Sequence, residues 1–398
     1  MHTPAESRNF WLLLLLGGAI TLVGLAAAHD MELHGHVVTG MDNAVVWGLP
    51  HVFAIFMIVA ASGVLNVASI GSVFGQPVYK RRAPLSGLLC IALLAGGLMV
   101  LMLDLGRPER VTVAATHYNF SSVFAWNVFL YSGMVAIVAV YLWTLFERRM
   151  NAWSKPAGIA ALVWRFVLTT GTGSIFGFLV ARQAYQSALL APLFIVLSFG
   201  WGLAVFLVVQ ASMYAWNERQ LTDEVRTRLA RLLGVFLAAS LYLVAVYHVT
   251  NLYFARQEAF EIFILRDGGI YTAVFWWGYV VLGSVVPMAL LFHPRWRTPA
   301  GLMAAAVLAI LGAFAFLYVF IIGGQAYPLD IFPGHEVSSS FGDGQVTRYV
   351  PSLPELLLGL GGLGAAFSMT VAGVRALDFL PQDDLPGTGA AQPKDAAA

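Results

Sequence analysis

One cysteine, Cys90, stands in a chain of 398 residues, and it lies inside an apolar run. A single thiol cannot close an internal disulfide, build a Cys-rich zinc site or hold an iron–sulfur cluster, which normally takes four thiolates. Charge is scarce as well. Asp, Glu, Lys and Arg together make up 11% of the chain, where a soluble protein carries about a quarter. That shortage excludes an ordinary water-soluble enzyme. The charges balance to a net +1, which suggests no nucleic-acid partner. No Asp or Glu falls deep within an apolar run, so a carboxylate relay across a membrane is missing too.

What is present is apolar: 59% hydrophobic residues and a mean hydropathy of +0.77. The composition predicts an all-α integral membrane protein, because a bilayer leaves no water for unpaired backbone groups. Ten runs approach the roughly 20 residues that a span needs: about 10–29, 47–71, 84–104, 123–146, 157–181, 188–214, 229–253, 271–292, 299–322 and 355–377. The first resembles a signal peptide, with Arg8 before it and Ala26–Ala28 at its end. Its apolar core exceeds the usual 7–15 residues, so it is read as a retained helix. Three regions follow: residues 1–46 as a first helix and loop, 47–380 as a membrane domain, and 381–398 as a disordered tail.

Lys and Arg set the orientation. They gather after the second span (Lys80, Arg81, Arg82), the fourth (Arg148, Arg149, Lys155), the sixth (Arg219, Arg226, Arg228) and the eighth (Arg295, Arg297). Residues 30–46 hold neither, and the long 323–354 segment has only Arg348. Both termini are therefore expected in the cytoplasm of a bacterial cell, with the odd-numbered connections outside. The 323–354 segment, rich in Gly, Pro and Ser yet dotted with aromatics, reads as a lid or docking surface.

Polar chemistry collects on that outer side. The connection "LDLGRPERVTVAATHYNFSSVFAWN" carries Asp104, Arg107 and Arg110, and then Tyr118, Asn119, Trp126 and Asn127. His51 lies one turn into the second span, Tyr247, His248 and Asn251 end the seventh, and Arg182, Gln183 and Tyr185 follow the fifth. Ionisable groups at membrane depth are costly and usually face a protein interior or a site. The bland readings are an Asp104–Arg107 pair and an ordinary aromatic belt. The functional reading is a quinone site. A quinone ring suits an aromatic cleft, and its oxygens need donors that pass protons, which histidine does near neutral pH. His51 with Asp104 fits that role, with Arg107 holding the aspartate ionised.

The runs "WGLPHVFAIFMIVAASGVLNVASIGSVFG", "LDLGRPER" and "NFSSVFAWNVFLYSGM" resemble the NrfD/PsrC family of membrane quinone-interacting subunits. The extra first helix and the "YPLDIFPG" loop are most like the DsrP branch, from the DsrMKJOP complex of sulfur metabolism. The resemblance implies two four-helix bundles, spans two to five and six to nine, with flanking spans one and ten. It implies a quinone pocket near the outer face, menaquinone or ubiquinone being equally open. It implies no metal or cluster in the chain itself. A periplasmic four-cluster ferredoxin-like iron–sulfur subunit would exchange the electrons, in a complex with room for a c-type cytochrome and other membrane subunits. The matching positions are His51, Asp104, Arg107 and Trp126. Tyr118, Asn119, Asn127 and His248 join them by neighbourhood.

Two rival readings stay open at this level. A b-type cytochrome would hold haem b between histidines such as His51 and His248. A proton-translocating subunit would use Arg165, about nine residues into the fifth span and roughly 13 Å deep, with Thr169, Thr170, Thr172 and Ser174 further along the same helix.

Overall fold

A computed structural model describes residues 4–216, 221–329 and 344–377. The tail expected to be disordered, 381–398, and the middle of the 323–354 segment lie outside the described residues. Ten helices are long and apolar enough to cross a membrane. In chain order they are α1 (Pro4–His34), α2 (Leu49–Ser72), α3 (Ala83–Leu103), α4 (Val123–Phe146) and α5 (Ser154–Gly177). Then come α6 (Leu190–Trp216), α7 (Asp223–Tyr253), α8 (Ile270–Phe292), α9 (Pro299–Ala326) and α10 (Leu353–Leu377). Each expected run has its helix. The fifth ends at Gly177, four residues earlier than the apolar pattern suggests, so Arg182, Gln183 and Tyr185 sit in the connection that follows.

The helices form two rings of four. In one, α2 packs on α3, α3 on α4, α4 on α5, and α5 returns to α2. In the other, α6, α7, α8 and α9 close in the same way. α1 lies against α10, which covers α2 and α3. The rings meet where α2 crosses α6. A Cβ on Gly63 would fall 1.7 Å from the Ser198 carbonyl oxygen, and one on Gly202 would fall 2.2 Å from the Gly63 carbonyl carbon. With no lipid-excluding hydrophobic force to draw helices together, such small-residue contacts let backbones pack closely. α1 and α10 meet at Gly24 and Gly361 in the same way.

Three stretches of the second ring and its connection are wound as π-helix: Phe263–Asp267, Val274–Val285 in α8 and Tyr318–Gly323 in α9. π turns are rare and concentrate at functional sites.

The odd-numbered connections all emerge on one face, called here the signature face because it carries Asp104–Pro108. The buried charges are sorted by depth. Asp104, Glu261 and Glu355, the buried carboxylates among the described residues, belong to span ends or connections of this face. Arg165 is buried in mid-helix α5, and Arg82 is buried at the opposite end.

Candidate functional site

α2 begins at Gly48 with Pro50 in its first turn, where a missing N–H costs nothing. That start places His51 one turn inside the signature face. α3 ends at Leu103 and Asp104 caps it. The polypeptide then reverses through Gly106 at φ +70°, a left-handed conformation that favours glycine. His36 lies over this turn. The reversal leaves Asp104 beneath α2, with His51 Nδ1 2.8 Å from Asp104 Oδ2. The Asp104 side chain is 1% exposed and that of His51 12%. The approach is close but oblique, so neither carboxylate oxygen nor Nδ1 has a hydrogen bond of good geometry. A buried carboxylate without such a partner is costly unless another donor completes it.

The Trp47 indole stacks on the His51 ring at 5.9 Å and 27°. It also meets Phe176 edge-on at 5.7 Å and Phe124 at 6.3 Å. Sequence reasoning missed what holds Trp47. Buried Gln325, at the end of α9, accepts from Val46 N and Trp47 N through Oε1, both at 3.0 Å. Its Nε2 donates to Trp47 O at 3.0 Å and to Ile321 O at 2.9 Å. Arg182 donates to Gln325 O and to Ala44 O, each at 2.6 Å. Burial draws its guanidinium below the ordinary arginine value, against the opposing pull of Tyr185 and Asp42.

A second clamp holds the start of α2. Leu49 N donates to Tyr349 Oη at 2.7 Å, and Tyr349 donates to Glu355 Oε1 at 2.5 Å. Gly40 N and Ser352 N donate to Glu355 Oε2, at 2.9 and 2.7 Å. Burial, reinforced by the Glu355 contact, pushes the Tyr349 hydroxyl well above the ordinary tyrosine range, so it remains a donor.

The other predicted residues divide. Arg107 is exposed and makes no side-chain hydrogen bond or ion pair among the described residues. It therefore does not hold Asp104 as expected, because the Gly106 turn carries it away while Asp104 turns inward to His51. Tyr118, Asn119 and Trp126 brace their own loop. Tyr118 donates to Ala125 O at 2.5 Å, Asn119 Oδ1 accepts from Ser121 N at 2.9 Å, and Trp126 Nε1 donates to Phe120 O at 2.7 Å. Trp126 is 47% exposed. Asn127 is buried, with Nδ2 donating to Val123 O at 2.8 Å and Oδ1 without a partner.

His248 lies in the other ring with a carboxylate of its own. Its Nδ1 is 2.5 Å from Oε2 of fully buried Glu261, whose Oε1 accepts from Asn251 Nδ2 at 2.7 Å. Tyr247 donates to the Ala184 carbonyl. Glu261 was missed because it belongs to a connection. Its helical spacing from Gln257, with Phe260 and Ile264 on the same buried face, is the signal that could have found it. Trp47, Phe176, Phe320 and Tyr247 form a row of rings between His51 and His248, in steps of 5.0 to 6.5 Å.

Arg165 is held within the first ring. It donates to Asn66 Oδ1 at 2.6 Å and Ser62 O at 3.3 Å, and its guanidinium lies 4.8 Å from the Phe166 ring centre and 5.4 Å from that of Phe199.

Comparison with known proteins places this sequence among membrane subunits. The family model "Polysulphide reductase, NrfD" matches residues 37–328. The protein is 29% identical to the integral membrane subunit of an Hdr-like menaquinol oxidoreductase from Archaeoglobus fulgidus, over 95% of each sequence. It is 23% identical to the integral membrane subunit of a menaquinone reductase from Nitratidesulfovibrio vulgaris, covering 79% of this sequence and 81% of that protein. It is also 23% identical to the protein NrfD of Escherichia coli, covering 71% and 96% respectively. With the family model spanning most of both helix rings, the chain belongs to the polysulphide reductase NrfD family.

Proposed function

We propose that this protein is the membrane-embedded quinone-reacting subunit of a redox complex, with its reactive site at His51. The observation that carries the reading is the His51–Asp104 pair, sunk one turn below the signature face beside the Trp47 ring. Trp47 offers a flat apolar wall for a head group. His51 Nδ1 faces Asp104, which leaves Nε2 to meet a quinone oxygen. The naming of relatives as menaquinol and menaquinone oxidoreductase subunits supports the same class of substrate.

In the oxidative direction a quinol loses two electrons and two protons. Nε2 takes a hydroxyl proton while Asp104 balances the imidazolium, and the protons leave through the signature face. The electrons go to a redox centre on a partner. Reduction runs each step backwards, taking up two electrons and two protons. The protein has one cysteine, so it relies on a partner for any thiolate-bound cluster. A periplasmic four-cluster ferredoxin-like iron–sulfur subunit, docked on the 105–122 and 323–354 connections, fits that role. The signature face is then the outer face of a bacterial cytoplasmic membrane, both termini are cytoplasmic, and the protein does not turn over quinol alone.

Replacing His51 with Phe tests the reading. A positioned general acid–base group is worth about 10²–10⁴ in rate. His51→Phe should therefore lower quinol-dependent electron transfer by roughly 10² or more, with the complex still assembling. Wild-type turnover in that variant removes His51 from the reaction.

A further inference from the structure

The second helix ring repeats the design of the first. In each, a histidine turns Nδ1 to a buried carboxylate: His51 to Asp104 at 2.8 Å, His248 to Glu261 at 2.5 Å. Each arrangement leaves Nε2 as the ring nitrogen for a ligand. Each histidine also lies against a large aromatic ring, Trp47 in the first case and Phe275 in the second, the latter edge-on at 4.8 Å. The second pair is the better ordered chemically, since Asn251 occupies the remaining Glu261 oxygen.

A cavity opens beside His248. Tyr247, Phe260, Phe275, Phe316 and Phe320 supply its aromatic walls. We propose that this cavity is a second head-group site for a quinone-class molecule, distinct from the one at His51. The proposal rests on the quinone reading of the first site. Its walls are apolar apart from the His248 ring and the Tyr247 hydroxyl, which is already committed to the Ala184 carbonyl. Such a lining rejects ions and water-rich ligands. It suits a planar apolar ring with one acceptor oxygen aimed at His248.

The backbone around the cavity is the independent observation. Ile264, Phe275, Val319 and Phe320 all line it, and all four lie in the three π-wound stretches. π turns widen a helix and cluster at functional sites. In this structure the cavity measures about 20 Å³, the room of roughly one water. A quinone ring needs more room than that, so occupancy requires the π-wound walls to part, and under the proposal this cost shows as filling only at high quinone concentration.

The test uses the intact complex in lipid nanodiscs and a menaquinone analogue carrying a photoreactive azide on its ring. Cross-linked peptides are mapped across a concentration series. Labels should fall within 47–127 at low concentration, and within 244–275 and 313–323 as well at high concentration. Val319→Phe, which fills the cavity, should abolish the second set and leave the first. Labels confined to 47–127 at every concentration overturn the second site and leave the His51 reading standing. Labels in neither region overturn both. A second set that persists unchanged in a folded Val319→Phe complex shows that the ring binds elsewhere and overturns the assignment to this cavity. The wild-type series decides the proposal even where that variant fails to assemble.

Discussion

Asp104→Asn separates two roles that the signature "DLGRP" could serve. The carboxylate is 1% exposed and lies 2.8 Å from His51 Nδ1. Asparagine keeps the size, and in the neutral pair no well-formed hydrogen bond is lost. The expected stability change is therefore small, within about 1 kcal/mol, the net worth of an ordinary hydrogen bond. The imidazolium proposed to form during quinol oxidation fares differently, because asparagine offers no charge to balance it in a buried site. A hydrogen bond to a charged group is worth about 1.5–3 kcal/mol. At about 1.4 kcal/mol per decade, its loss corresponds to a fall of roughly ten- to a hundredfold in turnover.

Arg107→Ala supplies the control. Arg107 is exposed and without a side-chain partner among the described residues, and surface changes of that kind usually stay within about 0.5 kcal/mol. The assay is quinol-dependent reduction of the complex's acceptor in proteoliposomes, with thermal unfolding measured in parallel. Asp104→Asn should lose rate far beyond its loss of stability, whereas Arg107→Ala, in the connection proposed to dock the partner, should keep its rate in complexes that retain the partner. Full turnover in Asp104→Asn refutes the His51–Asp104 reasoning, and so does a collapse in Arg107→Ala alone in a complex that retains its partner.

Two further outcomes follow from the same geometry. Gln325→Leu deletes four hydrogen bonds around Trp47 and leaves buried backbone groups unpaired. It should cost at least about 2 kcal/mol and raise the quinol KM more than it lowers kcat, measured by steady-state kinetics across quinol concentrations. Gly106→Ala forces a side chain into φ +70° under His36. A left-handed non-glycine residue costs roughly 1–2 kcal/mol, so the thermal midpoint of the assembled complex should drop, and an unchanged midpoint would contradict the turn.

The spans were legible because apolar runs of membrane length leave little choice of structure. His51 and Asp104 were legible too, as ionisable residues one turn from the same interface. Their pairing was not. Three-residue spacing favours Asp104–Arg107, and only the Gly106 turn decides which neighbour the aspartate meets. The supporting shell was hidden for a different reason. Gln325 and Tyr349 reach Trp47 and Leu49 across separations of 278 and 300 residues, and no local pattern encodes such contacts. Trp126 shows the converse. It belongs to the most recognisable segment, yet it is 47% exposed and braces its own loop.

The depth of the charges bears on whether protons cross the bilayer through this protein. A relay needs groups that take up and release protons along the path. Among the described residues, the buried carboxylates Asp104, Glu261 and Glu355 all sit on the signature face, as do the paired histidines His51 and His248. Mid-membrane in the first ring, the charged group is Arg165, clamped by Asn66 and Ser62 and flanked by the Phe166 and Phe199 rings. An arginine in a protein stays protonated, so it repels a passing proton more readily than it hands one on. Its hydroxyl neighbours are engaged as well: Ser62 and Thr169 bond each other at 2.6 Å, and Thr169 donates to the Arg165 carbonyl at 2.7 Å. The arrangement accords with the proposed exchange of protons with one side of the membrane, and in that proposal Arg165 stands as a fixed positive charge and not as a step in a proton path.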